Sequence, residues 1–321
     1  MQTRIGTSVT EVAYLLSIGE LVAIPTETVY GLAANALDEK AVQSIFRVKN
    51  RPVFNPLIVH VKDAEQFSKY ASEVPAICLK LAKAFSPGPI TFVLPKRNVI
   101  PDHTTGGGNS VALRIPHHPL TLELLNQLHF PLAAPSANPS GYISPVSAQH
   151  VFDQLAGKIP YILDGGDCPV GIESTVITFE KEKVVVLRLG GLGIEDIERV
   201  AGKVALQINQ SSNPSSPGQL KSHYAPKTPF LLGDAAKLIS ENKEKKIGLI
   251  CFGDVEIQNS AIYKSINLSS KGDTYEAASK VFHAMREMDA AGLDLIIATL
   301  IPENGLGAAA NDRLERAAAE K

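Results

Sequence analysis

The chain has 321 residues, of which 45% are hydrophobic and 20% are charged, a composition that excludes disorder over most of its length. The formal net charge of -2 gives no global attraction to nucleic acid, and at about 150 residues per domain the length predicts two domains. Three widely spaced cysteines favour a reducing compartment. With no export signal and no apolar run of about 18 residues, we expect a cytoplasmic protein without a membrane span.

Strand and helix signals alternate through the first two thirds of the chain. Apolar residues recur at helical spacing in 12–19 and 42–46. Short apolar runs typical of buried strands occur at 21–24, 57–61, 90–94, 111–115 and 184–189. These patterns predict one large α/β domain around a mixed sheet over residues 1–204.

A polar loop follows the first predicted strand. The apolar run Leu21–Ile24 stops at Pro25, and hydroxyls, a carboxylate and a glycine arrive together in Pro25–Leu32. A loop held at a strand end can present polar groups, among them Thr28, to a small ligand. An ordinary β-turn has a similar composition, so the loop alone leaves both interpretations open.

Two cations lie where the second predicted helix ends. Lys49 continues the apolar stripe of that helix, and Asn50, Arg51 and Pro52 close it. Cations at a helix C-terminus can simply complement the helix dipole. The alternative is a phosphate clamp, in which Arg51 supplies a planar fork of donors, Lys49 a mobile charge and Asn55 an amide.

Two polar side chains interrupt apolar strands. Arg114 lies in the run Val111–Pro116, and a buried guanidinium needs an anion or several acceptors because it does not give up its proton. A carboxylate ligand would satisfy Arg114, and so would an internal ion pair; the third possibility is that Arg114 lies at an exposed strand end. His60, in the run Leu57–Val61, is by itself more typical of a hydrogen-bonded core residue than of a ligand contact.

Loops of small residues accompany several of the predicted strands. They are Ser86–Thr91, Pro135–Gly141, Glu173–Val176 and Arg188–Gly191, and their residues permit close backbone approach. Each is typical of a turn, but their number in one domain is unusual. Gly106–Gly108 lacks the spacing of a dinucleotide-binding loop and no GxxxxGK[ST] loop occurs, so any ATP site must be built differently.

The remaining third of the chain begins with a change of composition. Residues 205–229 are rich in Ser, Asn, Gln and Pro with almost no apolar periodicity, which predicts an interdomain linker. Strand signals at 230–232, 247–252 and 293–299 then alternate with helical patterns near 234–243 and 273–291. Residues 230–321 are therefore predicted to form a smaller parallel α/β domain.

The order of these motifs resembles one known family, the threonylcarbamoyl-AMP synthases, over nearly the whole chain. The motifs are PTETVYGL at 25–32, Lys49-x-Arg51, SPGPIT at 86–91, VALRIP at 111–116, PSANPSG at 135–141, ESTV at 173–176, RLGG at 188–191, SPG at 216–218 and HYAP at 223–226. The resemblance implies a YrdC-type α/β domain with a twisted mixed sheet, followed by the smaller Rossmann-like parallel α/β domain of the two-domain members. The stretch 310–317 is similar to the family's Asn-Arg-Leu element, with Asp312 inserted.

The resemblance also implies a reaction and a set of site residues. A nucleotidyltransferase of this kind converts ATP, L-threonine and bicarbonate to L-threonylcarbamoyladenylate and pyrophosphate, for threonylcarbamoyladenosine at position 37 of tRNA. The expected L-threonine contacts are Thr28, His60, Arg114, Ala134 and Ser174, and the expected ATP contacts are Arg51, Asn55, Ser110, Ser136, Ser144, Arg188 and Tyr224. Lys49 and Arg51 are expected to act by charge neutralisation, with Mg²⁺ bound with ATP and no metal site of the protein's own. A linker carrying His223 and Tyr224 would close over the cleft.

The expected partners are the three substrates and the downstream tRNA threonylcarbamoyl-transfer machinery, with a weak contact to tRNA and none to a membrane. A second hypothesis is a non-catalytic protein that binds tRNA or double-stranded RNA on a concave basic surface. That hypothesis requires clustered cations, and the sequence has no strong Lys/Arg run and no RNA-binding aromatic motif.

Overall fold

The computed structural model describes residues 1–208, 224–254 and 259–319. Its strands are β1 (Arg4–Gly6), β2 (Val22–Ile24), β3 (Gly31–Asn35), β4 (Ile58–His60), β5 (Ile90–Pro95), β6 (Ser110–Arg114), β7 (Leu132–Ala133), β8 (Tyr161–Leu163), β9 (Thr175–Glu180), β10 (Lys183–Arg188), β11 (Ala205–Leu206), β12 (Phe230–Leu232), β13 (Ile247–Cys251), β14 (Ile262–Asn267) and β15 (Leu295–Ala298). Its helices are α1 (Val9–Ser17), α2 (Glu39–Lys49), α3 (Phe67–Tyr70), α4 (Ala76–Phe85), α5 (Asp102–Thr105), α6 (Pro119–Gln127), α7 (Ala148–Leu155), α8 (Ile194–Ala201), α9 (Ala235–Glu241), α10 (Thr274–Asp289) and α11 (Gly307–Ala318).

The first sheet is mixed, as the sequence predicted. Its strand order is β1-β8-β2-β3-β7-β4-β6-β5-β9-β10-β11. Strands β4 and β6 are parallel, whereas β2–β3, β5–β6 and β9–β10 are antiparallel. Strand β11 pairs with β10 at Ala205 and Leu206, so this sheet continues just past residue 204.

Helix α2 shows how local sequence positions two cations of the site. Asp38 caps its N-terminus by accepting hydrogen bonds from the backbone N–H groups of Lys40 and Ala41. Its apolar stripe is buried against the sheet, and Asn50 ends the helix in the left-handed conformation with φ 51°. Because the helix ends there, Lys49 and Arg51 lie where the loop that leads to β4 begins.

The pairing of β4 with β6 fixes the register of the two polar strand residues. His60 lies opposite Arg114, and Ile58 lies opposite Ala112. Alternate residues of a strand share one face of the sheet, so Ser110, Ala112 and Arg114 lie along the same face of β6. This face becomes one wall of the site.

The second sheet is parallel throughout its described strands, with order β12-β15-β13-β14, and it confirms the predicted smaller parallel α/β domain. The sequence analysis assigned no element to β14 or α11. Strand β14 is at the sheet edge, with burial that alternates between half-buried and exposed, and α11 buries polar as well as apolar residues. In the described part of the chain, no helix is both long enough and apolar enough to cross a bilayer.

Helix α10 attaches the second sheet to the first domain. The hydroxyl of Tyr142 donates to Asp289 at 2.5 Å, and the backbone N–H of Thr228 donates to the same carboxylate at 2.8 Å. One turn earlier in the helix, Nε of Arg286 donates to the carbonyl oxygen of Ser144 at 3.2 Å. These buried polar contacts fix the second domain against the 142–144 loop, which borders the site.

Candidate active site

A cavity of about 50 Å³ lies at the end of β4 and β6. It is bordered by the loops that follow β2 and β7, by the segment that precedes β9 and by the end of β10. The predicted site residues that line it are Arg51, His60, Arg114, Ala134, Ser136, Ser174, Arg188 and Tyr224. They come from segments far apart in the chain, and the sheet brings them together. The volume is small beside the several hundred Å³ of typical ligand pockets, so the cavity can hold only part of a nucleotide.

Arg114 supplies a buried cation whose donors are only partly used. It is 4% exposed, and its Nη2 lies 2.8 Å from Oε1 of Glu27, which is an ion pair by distance. The angles are not those of a hydrogen bond, and within the described residues Nε and Nη2 of Arg114 have no hydrogen-bond partner. Glu27 is held from behind because its Oε2 accepts from the backbone N–H of His117 at 2.9 Å. Arg114 can therefore donate to an anion that enters the cavity.

His60 stands beside Arg114 as a neutral imidazole. Burial and the neighbouring Arg114 charge lower the pKa of His60 to about 3. Its Nδ1 is buried and has no hydrogen-bond partner among the residues described. A neutral ring with an open nitrogen can contact a ligand without adding a charge to the site.

Two more guanidinium groups line the cavity opposite Arg114. Arg51 donates from Nη2 to Oδ1 of Asn55 at 2.6 Å and from Nε to the Asn55 carbonyl oxygen at 3.1 Å. Arg188 donates from Nε and Nη2 to the Ser174 carbonyl oxygen, at 3.1 and 2.8 Å. Burial and the nearby Arg188 lower the pKa of Arg51 to about 9, because like charges meet there in a poorly solvated place. An anionic ligand would relieve this repulsion.

Glu173 is the carboxylate of the described cavity lining. Its Oε1 accepts from the Ser144 hydroxyl at 2.6 Å, and its Oε2 accepts from Nη2 of Arg313 at 3.0 Å. Burial alone would raise the pKa of Glu173, but Arg313, Arg188 and the Ser144 hydrogen bond lower it to about 2. The cavity therefore combines three guanidinium groups with one ionised carboxylate, and attracts anions.

Tyr224 closes the cavity from the side of the second domain. It is 1% exposed and has φ 64°, a conformation that is uncommon for a bulky residue and typical of functional sites. Its ring centroid lies 5.2 Å from that of Phe282 in α10, and the following N–H, of Ala225, donates to the Gly141 carbonyl oxygen at 2.9 Å. The tyrosine is thus clamped between the two domains.

Lys49 and Asn55 lie behind the cavity wall. Nζ of Lys49 donates to the carbonyl oxygens of Ser136 and Asn138, both at 2.5 Å, so the ammonium holds the loop that carries Ser136. Burial and the nearby Arg51 lower the pKa of Lys49 well below its usual value. Asn55 is equally buried and bonds Arg51.

Thr28, Ser144 and Ser110 are also outside the described lining of this cavity. Thr28 is fully buried, with its hydroxyl 2.8 Å from that of Thr26, and Thr26 lines the cavity in its place. Ser144 contacts the cavity only through Glu173. Ser110, at the start of β6, lines a separate cavity of about 460 Å³.

Thr26, Glu173 and Arg313 were not among the predicted threonine-binding and ATP-binding residues. Thr26 and Glu173 lie in motifs that it did single out, so the signal was present at the level of the loop. Arg313 lies in the stretch 310–317 that resembles the family's Asn-Arg-Leu element, but its partner is 140 residues away in the chain, and nothing local points to that contact. The SPG motif at 216–218 and His223 lie outside the described residues.

Comparison with known proteins finds matches along most of the chain. The Sua5–YciO–YrdC family model, described as telomere recombination, matches residues 14–190, and a model described as threonylcarbamoyl-AMP synthase, C-terminal domain, matches residues 192–319. A threonylcarbamoyl-AMP synthase of Pyrococcus abyssi is 44% identical over 315 residues, covering 93% of this chain and 90% of the relative. The chain belongs to the threonylcarbamoyl-AMP synthase family.

Other members of the threonylcarbamoyl-AMP synthase family agree with this assignment. The Bacillus subtilis synthase is 38% identical over 322 residues, covering 97% of this chain and 92% of the relative. The crystal structure of P. abyssi Sua5 complexed with L-threonine superposes with a TM-score of 0.90 at 40% identity, covering 99% and 97% of the two chains. The predicted family, the predicted fold class and the predicted nucleotidyltransferase-type activity are thereby confirmed.

Proposed function

We propose that this threonylcarbamoyl-AMP synthase uses the Arg114 end of the cavity for L-threonine and the Arg51 and Arg188 side for ATP. The amine of threonine adds to bicarbonate, with loss of water, to give a carbamate. A carbamate oxygen then attacks the α-phosphorus of ATP, and the bond to the β-phosphate oxygen breaks to release pyrophosphate. No protein nucleophile is needed, so the residues act by positioning and by neutralising charge.

The threonine assignment is supported mainly by the hydrogen bonding of Arg114. Its Nε and Nη2 are buried without a hydrogen-bond partner in the described structure, a costly arrangement unless a ligand completes it. A carboxylate accepts two parallel bonds from a guanidinium. Beside it, the neutral His60 and the backbone of Ala134 and hydroxyl of Ser174 offer polar contacts to the rest of an amino acid.

ATP would extend from the cations along the face of the sheet that carries Ser110 and Ala112. Arg51 and Arg188 attract the phosphates. Ser110 lies four residues before Arg114 on β6, about 13 Å away at 3.3 Å per residue, which is the scale of a nucleoside monophosphate. A cluster of apolar residues lies on the same face and suits a purine base. Its members are Ile58, Val93, Ala112, Val176, Val185 and Leu187.

We assign supporting roles to the predicted residues behind the wall. Lys49 fixes the loop that presents Ser136, Asn55 orients Arg51, and Ser144 holds Glu173. Thr28 acts through the hydroxyl of Thr26. Each would affect the reaction through the position of a cavity residue.

Mg²⁺ would enter as part of the MgATP substrate. Glu27 and Glu173 are already ion-paired with arginines, and the described residues include no group of three side chains able to hold a metal ion. A metal that keeps its waters and binds phosphate oxygens fits this donor set. It would supply charge neutralisation at the phosphates.

The adenylate would pass to the downstream tRNA threonylcarbamoyl-transfer machinery for modification at position 37. That transfer, a weak contact with tRNA and the cytoplasmic location stay predictions. The non-catalytic RNA-binding hypothesis receives no support from the described site, since Arg51, Arg114 and Arg188 line a cavity of about 50 Å³, whereas tRNA or double-stranded RNA needs a row of cations on an open surface.

Mass spectrometry of a reaction that contains MgATP, L-threonine and bicarbonate tests the proposal. Threonylcarbamoyl-adenylate is expected in the complete mixture and in none of the mixtures that lack one component. Product formed without bicarbonate from degassed buffer, or with serine as efficiently as with threonine, would contradict the proposed chemistry or the proposed threonine pocket.

A further inference from the structure

The second domain inserts a cation into the wall of the substrate cavity. Arg313 lies in α11, is 0% exposed, and donates from Nε and Nη2 to Oε2 of Glu173, at 3.1 and 3.0 Å. From Nη1 it donates to the carbonyl oxygen of Leu189 at 2.7 Å. Its guanidinium carbon also lies 5.7 Å from the ring centroid of Tyr224, within range of a cation–π contact. The Arg313 side chain therefore contacts three separate segments around the site, at Glu173, Leu189 and Tyr224.

Glu173 relies mainly on this contact for its charge. A carboxylate that is 8% exposed cannot stay ionised without positive charge nearby. Arg188 supplies part of that charge from a distance, while its Nη2 donates to Ser174. Among the described contacts, Arg313 is the cation that Glu173 bonds directly. The ionised Glu173 in turn accepts from Ser144 and offsets the positive charge of Arg188 across the cavity.

We propose that Arg313 is a positioning residue of the synthase reaction, through which the second domain holds Glu173 ionised and in place at the ATP side of the cavity. This inference rests on the proposed function of that cavity and deepens it. It gives the second domain a part in the active site, because the first domain alone contains Glu173 but not its cation. Arg313 itself does not touch the reacting atoms.

The test is the pH dependence of kcat/KM for ATP in the full-length protein, with pyrophosphate release as the assay between pH 5 and 9. In the wild type Glu173 stays ionised throughout this range. In Arg313→Gln the pKa of Glu173 rises, so kcat/KM is expected to fall about tenfold per pH unit below the new pKa. Arg313→Lys is expected to keep the wild-type profile, and Arg313→Gln combined with Glu173→Gln to lose the new acidic limb.

Arg286→Gln is the matched control. Arg286, in α10, is likewise a buried cation of the second domain that reaches the first domain, but it bonds carbonyl oxygens instead of Glu173. Arg286→Gln is expected to lower stability without an acidic limb. An Arg313→Gln profile that superposes on the wild type, or an acidic limb that persists after Glu173→Gln is added, would overturn the proposal.

A readout without substrate separates this proposal from the proposed function. With Arg313 replaced by Gln, the folded protein binds a proton at Glu173 more readily than the unfolded chain, so acidification from pH 7 to 5 is expected to raise its Tm relative to the wild type. The Glu173→Gln double variant should not show this rise. If the wild type makes no adenylate while this shift is seen, the proposed reaction fails but the Arg313–Glu173 coupling stands. If the shift is absent, the coupling fails.

Discussion

Replacement of Arg114 by glutamine tests the threonine pocket most directly, provided that binding is separated from stability. Arg114 and Glu27 form a buried ion pair, with side chains 5% exposed on each side. Removal of one partner from such a pair costs about 3–5 kcal/mol, because the other charge stays buried. The single variant Arg114→Gln is therefore expected to be less stable than the wild type by about 3 kcal/mol.

The double variant, Arg114→Gln with Glu27→Gln, removes both charges and changes the side-chain volume of the pair only slightly. Its stability is expected to return to within about 1 kcal/mol of the wild type. Threonine binding should not return. Two charge-assisted hydrogen bonds at about 1.5–3 kcal/mol each correspond to a loss of at least about 100-fold in affinity at 1.36 kcal/mol per factor of ten.

Isothermal titration calorimetry with L-threonine, together with urea unfolding, measures both quantities on the same samples. Arg199→Gln is a suitable control, since its side chain is 75% exposed and pairs only with Asp196 in the described contacts. A double variant that binds threonine with the wild-type Kd would refute the role given to Arg114. A double variant as unstable as the single one would refute the ion-pair explanation of its cost.

Three further outcomes are expected. A Cβ at Gly190 would lie 2.3 Å from the carbonyl oxygen of Glu173, so Gly190→Ala should lower the Tm and raise KM for ATP in steady-state assays. Gly108→Ala is the control, because the nearest contact of its Cβ would be 3.3 Å. Equal effects of the two substitutions would contradict this prediction. Tyr142→Phe removes the bond to Asp289 and should cost about 1.5–3 kcal/mol in urea unfolding while the threonine Kd is unchanged; an altered Kd would contradict a purely interdomain role. The depressed pKa of Glu173, about 2, lies below its unfolded value of about 4.3, so its stabilisation is complete above pH 4.3 and is lost toward pH 2. Between pH 5 and pH 3, the free energy of unfolding should fall less for Glu173→Gln than for the wild type. An equal fall would refute the low pKa given to Glu173.

The order of motifs identified the family because each motif is a short loop or strand whose chemistry is local. Apolar runs located five of the eleven strands in the first sheet, namely β2, β4, β5, β6 and β10. The break at Pro25 marked a loop that does border the cavity. Strand β14 was not predicted although Ile262–Asn267 alternates in burial, since its polar positions face out at a sheet edge and its apolar signal is weak. Helix α11 was not predicted because its buried face is built largely from alanine and polar residues.

The sequence alone indicated that Arg114, if buried, needs an anion or several acceptors, because a guanidinium cannot be neutralised in an apolar strand. It also placed hydroxyl and carboxylate groups in loops at strand ends. Which side chains line the cavity was decided by tertiary structure alone. Register placed His60 beside Arg114, and packing directed Thr26 rather than Thr28 inward. The pairing of Glu173 with Arg313, 140 residues apart, follows from the docking of two domains, and no local pattern encodes it.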